Sequence, residues 1–304
     1  MKIYTLTLNP AFDLHCTTEQ FSLGHESFFD VLSCEAGGKG VNVSRALLSG
    51  KVNNTAIVVV GSQNGQEFCN NLNNDKIDYI PVFVEGRIRE NIVLHDKTDI
   101  ETRVSFNGFA VDKTLFNEII SKLGLVDDQT IITLTGSVPK GLCIEEIKSF
   151  VKYLQDKGCK VVIDSRSFSL DDLIEIKPFL IKPNQDEISH YLKEKIDSPE
   201  KAKKVASQLF NKGIQNALIS LGGDGAVLGC KDGVYYVKSV NVPVVSTIGA
   251  GDSSVAGFIK AFVEGKTSLD CLKTAVAFGS AACMAEGTKP PKIKDIEHIL
   301  FLMK

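Results

Sequence analysis

A doubly wound, mainly parallel α/β sheet flanked by helices, with a small β-sheet lid beside it, is the fold that this 304-residue sequence predicts. Three observations lead there. Short β-rich runs alternate with longer segments of helical period, the rhythm of successive βαβ units. Several of the runs are apolar or β-branched almost throughout, as strands covered on both faces must be. Two stretches, residues 11–36 and about 82–109, break the rhythm with strand and turn signals and no helix between them.

In chain order, residues 3–8 read as the first strand and 11–36 as strands and turns of the small layer. Residues 41–48 carry a helical period, 55–60 (TAIVVV) form a buried strand, and 65–73 return to helix. The second part of the small layer follows at about 82–109. The alternation then resumes with strands at 130–134, 160–163, 179–181 and 216–220 and helices at 144–157 and 199–212. Both of these helices keep their charges on one side and leave an apolar stripe for the sheet. No long Pro/Gly/Ser linker or repeat divides the chain, so one domain, 1–304, with a β lid from 11–36 and 82–109, is expected.

Composition narrows the function classes. With 43% hydrophobic and 23% charged residues and a formal net charge of −3, the chain has the profile of an ordinary globular protein. No Lys/Arg tract suggests a nucleic-acid partner, and no apolar run approaches the length of a membrane span. The opening MKIYTLTL is too short and too β-like for a signal peptide, which predicts a cytoplasmic protein. Eight cysteines without a Cys-x-x-Cys pair and five histidines without ligand spacing read as reduced thiols and ordinary side chains, not a metal centre.

Chemistry concentrates at three glycine-rich junctions, the places where open α/β sheets hold ligands. They are GGKGVN (37–42), SLGGDG (220–225) and STIGAGDSS (246–254). None is a Walker loop or a Gly-x-Gly-x-x-Gly fingerprint, which argues against a nicotinamide cofactor. In the first, Lys39 and Asn42 stand at a helix start, ready for a charged or hydroxylated ligand; a plain glycine turn with a solvated lysine is the competing reading. The second is equally well a hairpin turn or a phosphate-facing loop. In the third, Gly249, Ala250 and Gly251 leave amide N–H groups at a helix start, where negative charge is stabilised. Asp252 beside them is either the cap of that helix or a base that takes the proton of an attacking alcohol. At a helix N-terminus its pKa is expected to be low, making it a weak base that works by position.

The ordered motifs resemble the PfkB, or ribokinase-like, family of carbohydrate kinases over residues 3–287. Besides GGKGVN and STIGAGDSSVAGF, they are NPAFD (9–13), GRIREN (86–91), TGSVPKG (135–141), KPNQDE (182–187) and SLGGDG (220–225). The forms TLNPAFD, GGKGVN and TGSVPKGL are similar to the branch of 1-phosphofructokinase and tagatose-6-phosphate kinase. The resemblance implies a kinase using ATP and Mg²⁺ to phosphorylate a ketohexose phosphate, with Asp252 as base and Gly249, Ala250 and Gly251 as anion hole. It implies a sugar-phosphate site of Asp13, Gly37, Gly38, Lys39, Asn42, Arg89 and Asn91, with Arg87 and Arg103 as helpers. Asn184 and Glu187 would place the metal and nucleotide phosphates, Glu187 through water. Ser220, Gly222, Gly223 and Gly225 would border the nucleotide and Gly279 the adenine. A homodimer through the β lid is the further expectation. The alternatives within the fold are an acceptor such as fructose 6-phosphate or an unphosphorylated sugar or nucleoside, or a silent sensor.

Two departures bear on the site. Ser165-Arg166-Ser167 stands where relatives carry Ser/Thr-Gly, and the lid runs Glu101-Thr-Arg-Val-Ser105 where an acidic residue is common. Lys51 also takes the place of the usual glycine after the first helix, a change at a helix end.

Overall fold

The large sheet is laid down outward from its first strand. In the computed structural model, which describes residues 1–19, 21–96 and 101–303, β1 (Lys2–Thr7) pairs in parallel with β4 (Thr55–Gly61) on one side and β8 (Thr130–Thr135) on the other. Beyond β4 lies β5 (Tyr79–Val84), and beyond β8 follow β9 (Lys160–Asp164), β10 (Leu180–Ile181) and β11 (Asn216–Ser220), all parallel. Two antiparallel strands, β12 (Ala226–Cys230) and β13 (Gly233–Val237), complete that edge. The order is β13-β12-β11-β10-β9-β8-β1-β4-β5, so the winding direction reverses at β1. That reversal opens a crevice at the carboxyl ends of the central strands.

Helices cover both faces, which is why β4 and β8 are buried almost end to end. On one face α1 (Lys39–Ser49), α8 (Ala250–Val263), α9 (Ser268–Ala282) and α10 (Ile293–Leu302) pack Leu47, Phe258, Leu272 and Ile296 into one core. On the other, α2 (Gly65–Asn74), α3 (Thr114–Leu123), α4 (Ile144–Asp156), α5 (Leu170–Ile176), α6 (Gln185–Leu192) and α7 (Pro199–Asn211) contribute Phe68, Ile119, Phe150, Leu173, Ile188 and Leu209. Helix starts follow local chemistry: Ser198 caps α7 by accepting from the Lys201 amide, and Pro199 fills the first position, where no N–H is needed.

The small sheet has the order β3-β2-β6-β7, from β2 (Ala11–Thr17), β3 (Asp30–Gly37), β6 (Arg89–His95) and β7 (Glu101–Ser105). Its central pair, β2 and β6, is parallel, and the outer pairs are antiparallel. Val82 to Val84, assigned to this layer from sequence, belong instead to β5 of the large sheet, and residues 97–100 lie outside the described residues. The 220–225 junction is a hairpin, since β11 and β12 pair antiparallel across it. Among the described residues no helix is long and apolar enough to cross a membrane.

The helix α1 reaches the crevice because it packs very close to β1. A Cβ on Gly40 would lie 2.3 Å from Thr7 Oγ1 and 2.9 Å from the Leu6 carbonyl oxygen. Gly40→Ala is therefore expected to push α1 off the sheet and cost about 1–3 kcal/mol, read as a lower urea midpoint.

Candidate active site

Two cavities meet at the carboxyl ends of β1, β8, β9, β10 and β11. The first, about 600 Å³, lies toward the small sheet, and the second, about 540 Å³, toward the β11–β12 hairpin and α9. Lys182, Asn184, Thr247 and Gly251 line both, so they form the wall between them.

The start of α8 sits at that wall. Gly249 turns the chain into the helix with φ 74°, a left-handed conformation that glycine takes without a Cβ penalty. Gly249 faces the first cavity, Ala250 the second, and Gly251 both. Asp252 is not the cap: Gly249 is, and Asp252 is the third helical residue, 6% exposed, its Oδ2 accepting from Asn42 Nδ2 at 2.9 Å. Nor is its pKa low. Burial pushes it up to about 6, against the pull of Lys39, with Asp164 adding to the rise and the Asn42 bond opposing it. Desolvation of the whole carboxylate outweighs the partial charge of a helix end.

Beneath this carboxylate lies another. Asp164, at the end of β9, accepts from Lys39 Nζ at 3.0 Å through Oδ2 and faces Lys182 Nζ at 3.7 Å through Oδ1. Asp164 and Lys182 are both deeply buried. Burial alone would raise the Asp164 carboxyl, but Lys182 and Lys39 outweigh it and hold the group below the ordinary carboxylate value. Burial likewise works to lower Lys39, yet Asp164 and Asp252 together raise it. Lys182 also lies over the α8 turn, since a Cβ on Gly251 would come 3.0 Å from its Nζ.

The outer end of the first cavity holds Asp13, Gly38, Arg89 and Asn91. Asn91 Nδ2 donates to Asp13 Oδ1 at 2.8 Å, and burial raises the Asp13 carboxyl despite that bond. Here four buried polar atoms lack a protein partner: Thr7 Oγ1, Asn9 Oδ1, Arg89 Nε and Asn91 Oδ1. Such atoms cost stability unless water or a ligand meets them, so the cavity is built for something polar. Arg103 lines the same space, whereas Arg87 turns outward and pairs with Glu90 at 2.8 Å. Gly37 does not line the cavity; it closes β3 against Ala11 of β2.

In the second cavity the hairpin residues Ser220, Gly222, Gly223 and Gly225 face Gly279 of α9. Gly222 and Gly223 have open space where a Cβ would stand, and Leu218, Val240, Val242 and Val276 add an apolar lining. At its inner end Asn184 caps α6: its Oδ1 accepts from the Glu187 amide at 2.8 Å, and Glu187 Oε2 accepts from the Asn184 amide at 2.9 Å. Glu187 Oε1 accepts from Arg166 Nε at 2.6 Å.

Three contributors escape a reading of the sequence. Asp164 ends an ordinary strand, and Lys182 follows an apolar one as any solvated lysine would. Arg45, on α1, donates through Nη1 to Asn42 Oδ1 at 3.2 Å and through Nε to Asp75 at 2.8 Å, which orients the Asn42 amide with its N–H groups toward Asp252. The local hints were the position of Asp164 and Lys182 at the ends of adjacent parallel strands and the place of Lys182 at the head of KPNQDE.

Two cavities that meet at a helix N-terminus, with the Asp252 carboxylate in one of them beside the shared wall, suit an enzyme that passes a group from one small ligand to another. The whole chain agrees with known proteins of that class. Residues 12–295 match the model of the pfkB family carbohydrate kinases. The chain is 32% identical over 287 residues to a 1-phosphofructokinase of Borreliella burgdorferi (93% of this chain, 92% of that one). It is 32% identical over 291 residues to a tagatose-6-phosphate kinase of Staphylococcus epidermidis (94% and 93%). Phosphofructokinase-2 from Escherichia coli superposes with a TM-score of 0.92 at 27% identity, over 100% of this chain and 99% of that one. This chain belongs to the pfkB family of carbohydrate kinases, which carries with it the ribokinase-like fold and the use of ATP.

Replacing Asp164 by Asn would leave two ammonium groups without their shared counter-charge, one of them fully buried. A loss of about 3–5 kcal/mol is expected by urea unfolding at neutral pH. Because the folded-state pKa of Asp164 is depressed, its contribution is complete above the unfolded carboxylate value and lost as pH falls through the folded one. The gap between wild type and Asp164→Asn should accordingly narrow in acid.

Proposed function

We propose that this enzyme transfers the γ-phosphoryl group of ATP to a ketohexose phosphate, fructose 1-phosphate or tagatose 6-phosphate, giving the 1,6-bisphosphate and ADP. The carrying observation is that Asp252 shares one cavity with Arg89, whose Nε is buried without a protein partner. One end of that cavity calls for a dianion and the other for a proton to be removed. The names of the relatives support the same substrates.

In this reading the sugar lies along the first cavity, its phosphate on Arg89 with Arg103 nearby and its hydroxyls on Asp13, Asn91, Asn42 and the Gly38 backbone. Lys39, held by Asp164 and within the field of Asp252, lines the same cavity as Arg89. The nucleotide lies in the second cavity against Ser220, Gly222, Gly223, Gly225 and Gly279. The attacking hydroxyl oxygen forms a bond to the γ-phosphorus, the bond to ADP breaks with its electron pair leaving on ADP, and the hydroxyl proton passes to Asp252. Amides of Gly249 and Gly251, with Lys182 above them, face the oxygens in transit, while the Ala250 amide donates to the Thr247 carbonyl oxygen at 3.4 Å. A carboxylate with a pKa near 6 is a better base than one at the ordinary value while still ionised at neutral pH.

The residues fit a magnesium ion only as a passenger of the nucleotide. Among the described residues no cluster of three or more acidic, histidine or cysteine side chains makes a cage. Bound with ATP, the ion would neutralise phosphate charge, and Glu187 and Asn184 would meet it through water. A second reading, fructose 6-phosphate as acceptor, is favoured by the likeness to Escherichia coli phosphofructokinase-2, of which a structure with fructose 6-phosphate is known. ADP release on a panel of the three sugar phosphates separates the two. We further propose a homodimer through the small sheet, because Phe28, Val31, Leu32 and Val104 are exposed there.

Asp252→Asn is expected to lower kcat by about 10²–10⁴ with ATP binding largely kept; near-normal turnover would remove the base assignment. Wild-type kcat/KM should fall as pH drops below about 6, since Asp252 must be ionised to accept a proton. Arg89→Ala should raise KM for the sugar phosphate and leave KM for ATP near its wild-type value.

A further inference from the structure

The Arg166–Glu187 pair joins the departure after β9 to the residue expected to work with the metal. Arg166 belongs to the turn that leaves β9, two residues past Asp164, and lines the first cavity beside Lys182 and Glu187. Its Nε lies 2.6 Å from Glu187 Oε1, while Glu187 Oε2 holds the Asn184 amide. Both carboxylate oxygens are thus occupied. Each oxygen keeps a second lone pair that a divalent ion's water shell can meet, but at Oε1 that water must share the oxygen with the guanidinium unless Arg166 gives way.

Arg166 is equipped to move. Its side chain is 75% exposed against 12% for Glu187, so the carboxylate is the fixed partner and the arginine the mobile one. Contact through Nε leaves the two terminal Nη groups as a fork of N–H donors, the geometry that matches phosphate oxygens. Glycine at this place could do none of this. Resting on the proposed use of ATP, we infer that Arg166 is a phosphate-binding cation that shares Glu187 with the nucleotide's divalent ion. In the empty cleft it neutralises Glu187; with nucleotide bound it turns its fork onto the terminal phosphates and frees Oε1 for the ion's water.

Equilibrium binding of ATP by calorimetry, in EDTA and again with saturating Mg²⁺, tests this without reference to turnover. Arg166→Gly is expected to weaken metal-free binding roughly tenfold and Mg-ATP binding much less. Glu187→Gln, which can still accept the Asn184 amide, should tighten metal-free binding by releasing Arg166 and removing a negative charge. Metal-free affinity of Arg166→Gly within twofold of wild type would overturn the phosphate role. Unchanged or weaker metal-free binding in Glu187→Gln would overturn the sharing. Wild type that binds no ATP under either condition would overturn the nucleotide reading itself, whereas tight wild-type binding with an indifferent Arg166→Gly overturns this inference alone.

Discussion

One carboxylate, Asp164, compensates two ammonium groups brought to it by separate parts of the chain. Lys39 is the first residue of α1 and Lys182 follows β10, so this ionic contact fixes the helix that carries Asn42 against the strand that leads to the Asn184 cap. Charges removed from water are tolerated only when paired closely, and removing one member strands the rest. Both cavities therefore depend on this one ionic contact, whose members line the first and, through Lys182, the second. The positive charge above Asp164 also offsets the negative charge of Asp252, without which two buried carboxylates would be hard to keep near one another.

Asp252 shows how burial decides a site's electrostatics. Charge near a helix N-terminus is worth about 0.3–1 kcal/mol, up to about 2 in favourable geometry, and that sets the limit of what the turn can do to hold the carboxylate ionised. Enclosure by α1 and α8 works in the opposite direction and prevails. A single hydrogen bond from Asn42, itself held by Arg45, then aims the group. The bond that aims Asp252 also draws its pKa down, so position and basicity are coupled through Asn42.

Much of the architecture was legible in the sequence because it follows from local pattern. The apolar run at 55–60 had to be covered on both faces, and the stripes at 144–157 and 199–212 had to face a sheet; β4, α4 and α7 are where those requirements led. The glycine motifs pointed to the crevice since phosphate-facing turns need amides without side chains in the way. What stayed hidden was long-range. Nothing near Asp164 announces Lys39, 125 residues away, and nothing near Asn42 announces Asp252, 210 residues away. The parallel pairing of β2 with β6, and the transfer of Val82 to Val84 to the large sheet, are likewise choices of partner, which periodicity does not encode. The low pKa expected for Asp252 failed for the same reason: its burial comes from elements far away in the chain.

The same separation orders events during synthesis. Asn42 leaves the ribosome long before Asp252, and the hydrogen bond between them closes a span of 210 residues. Strands β1, β4 and β5 can assemble early with the small sheet, but α8 and α9, which wall the second cavity, arrive in the last quarter of the chain. A nascent chain that ends before α8 holds the small-sheet end of the first cavity without Asp252. Such a fragment lacks one wall of the second cavity and the hydrogen bond that ties α1 to α8.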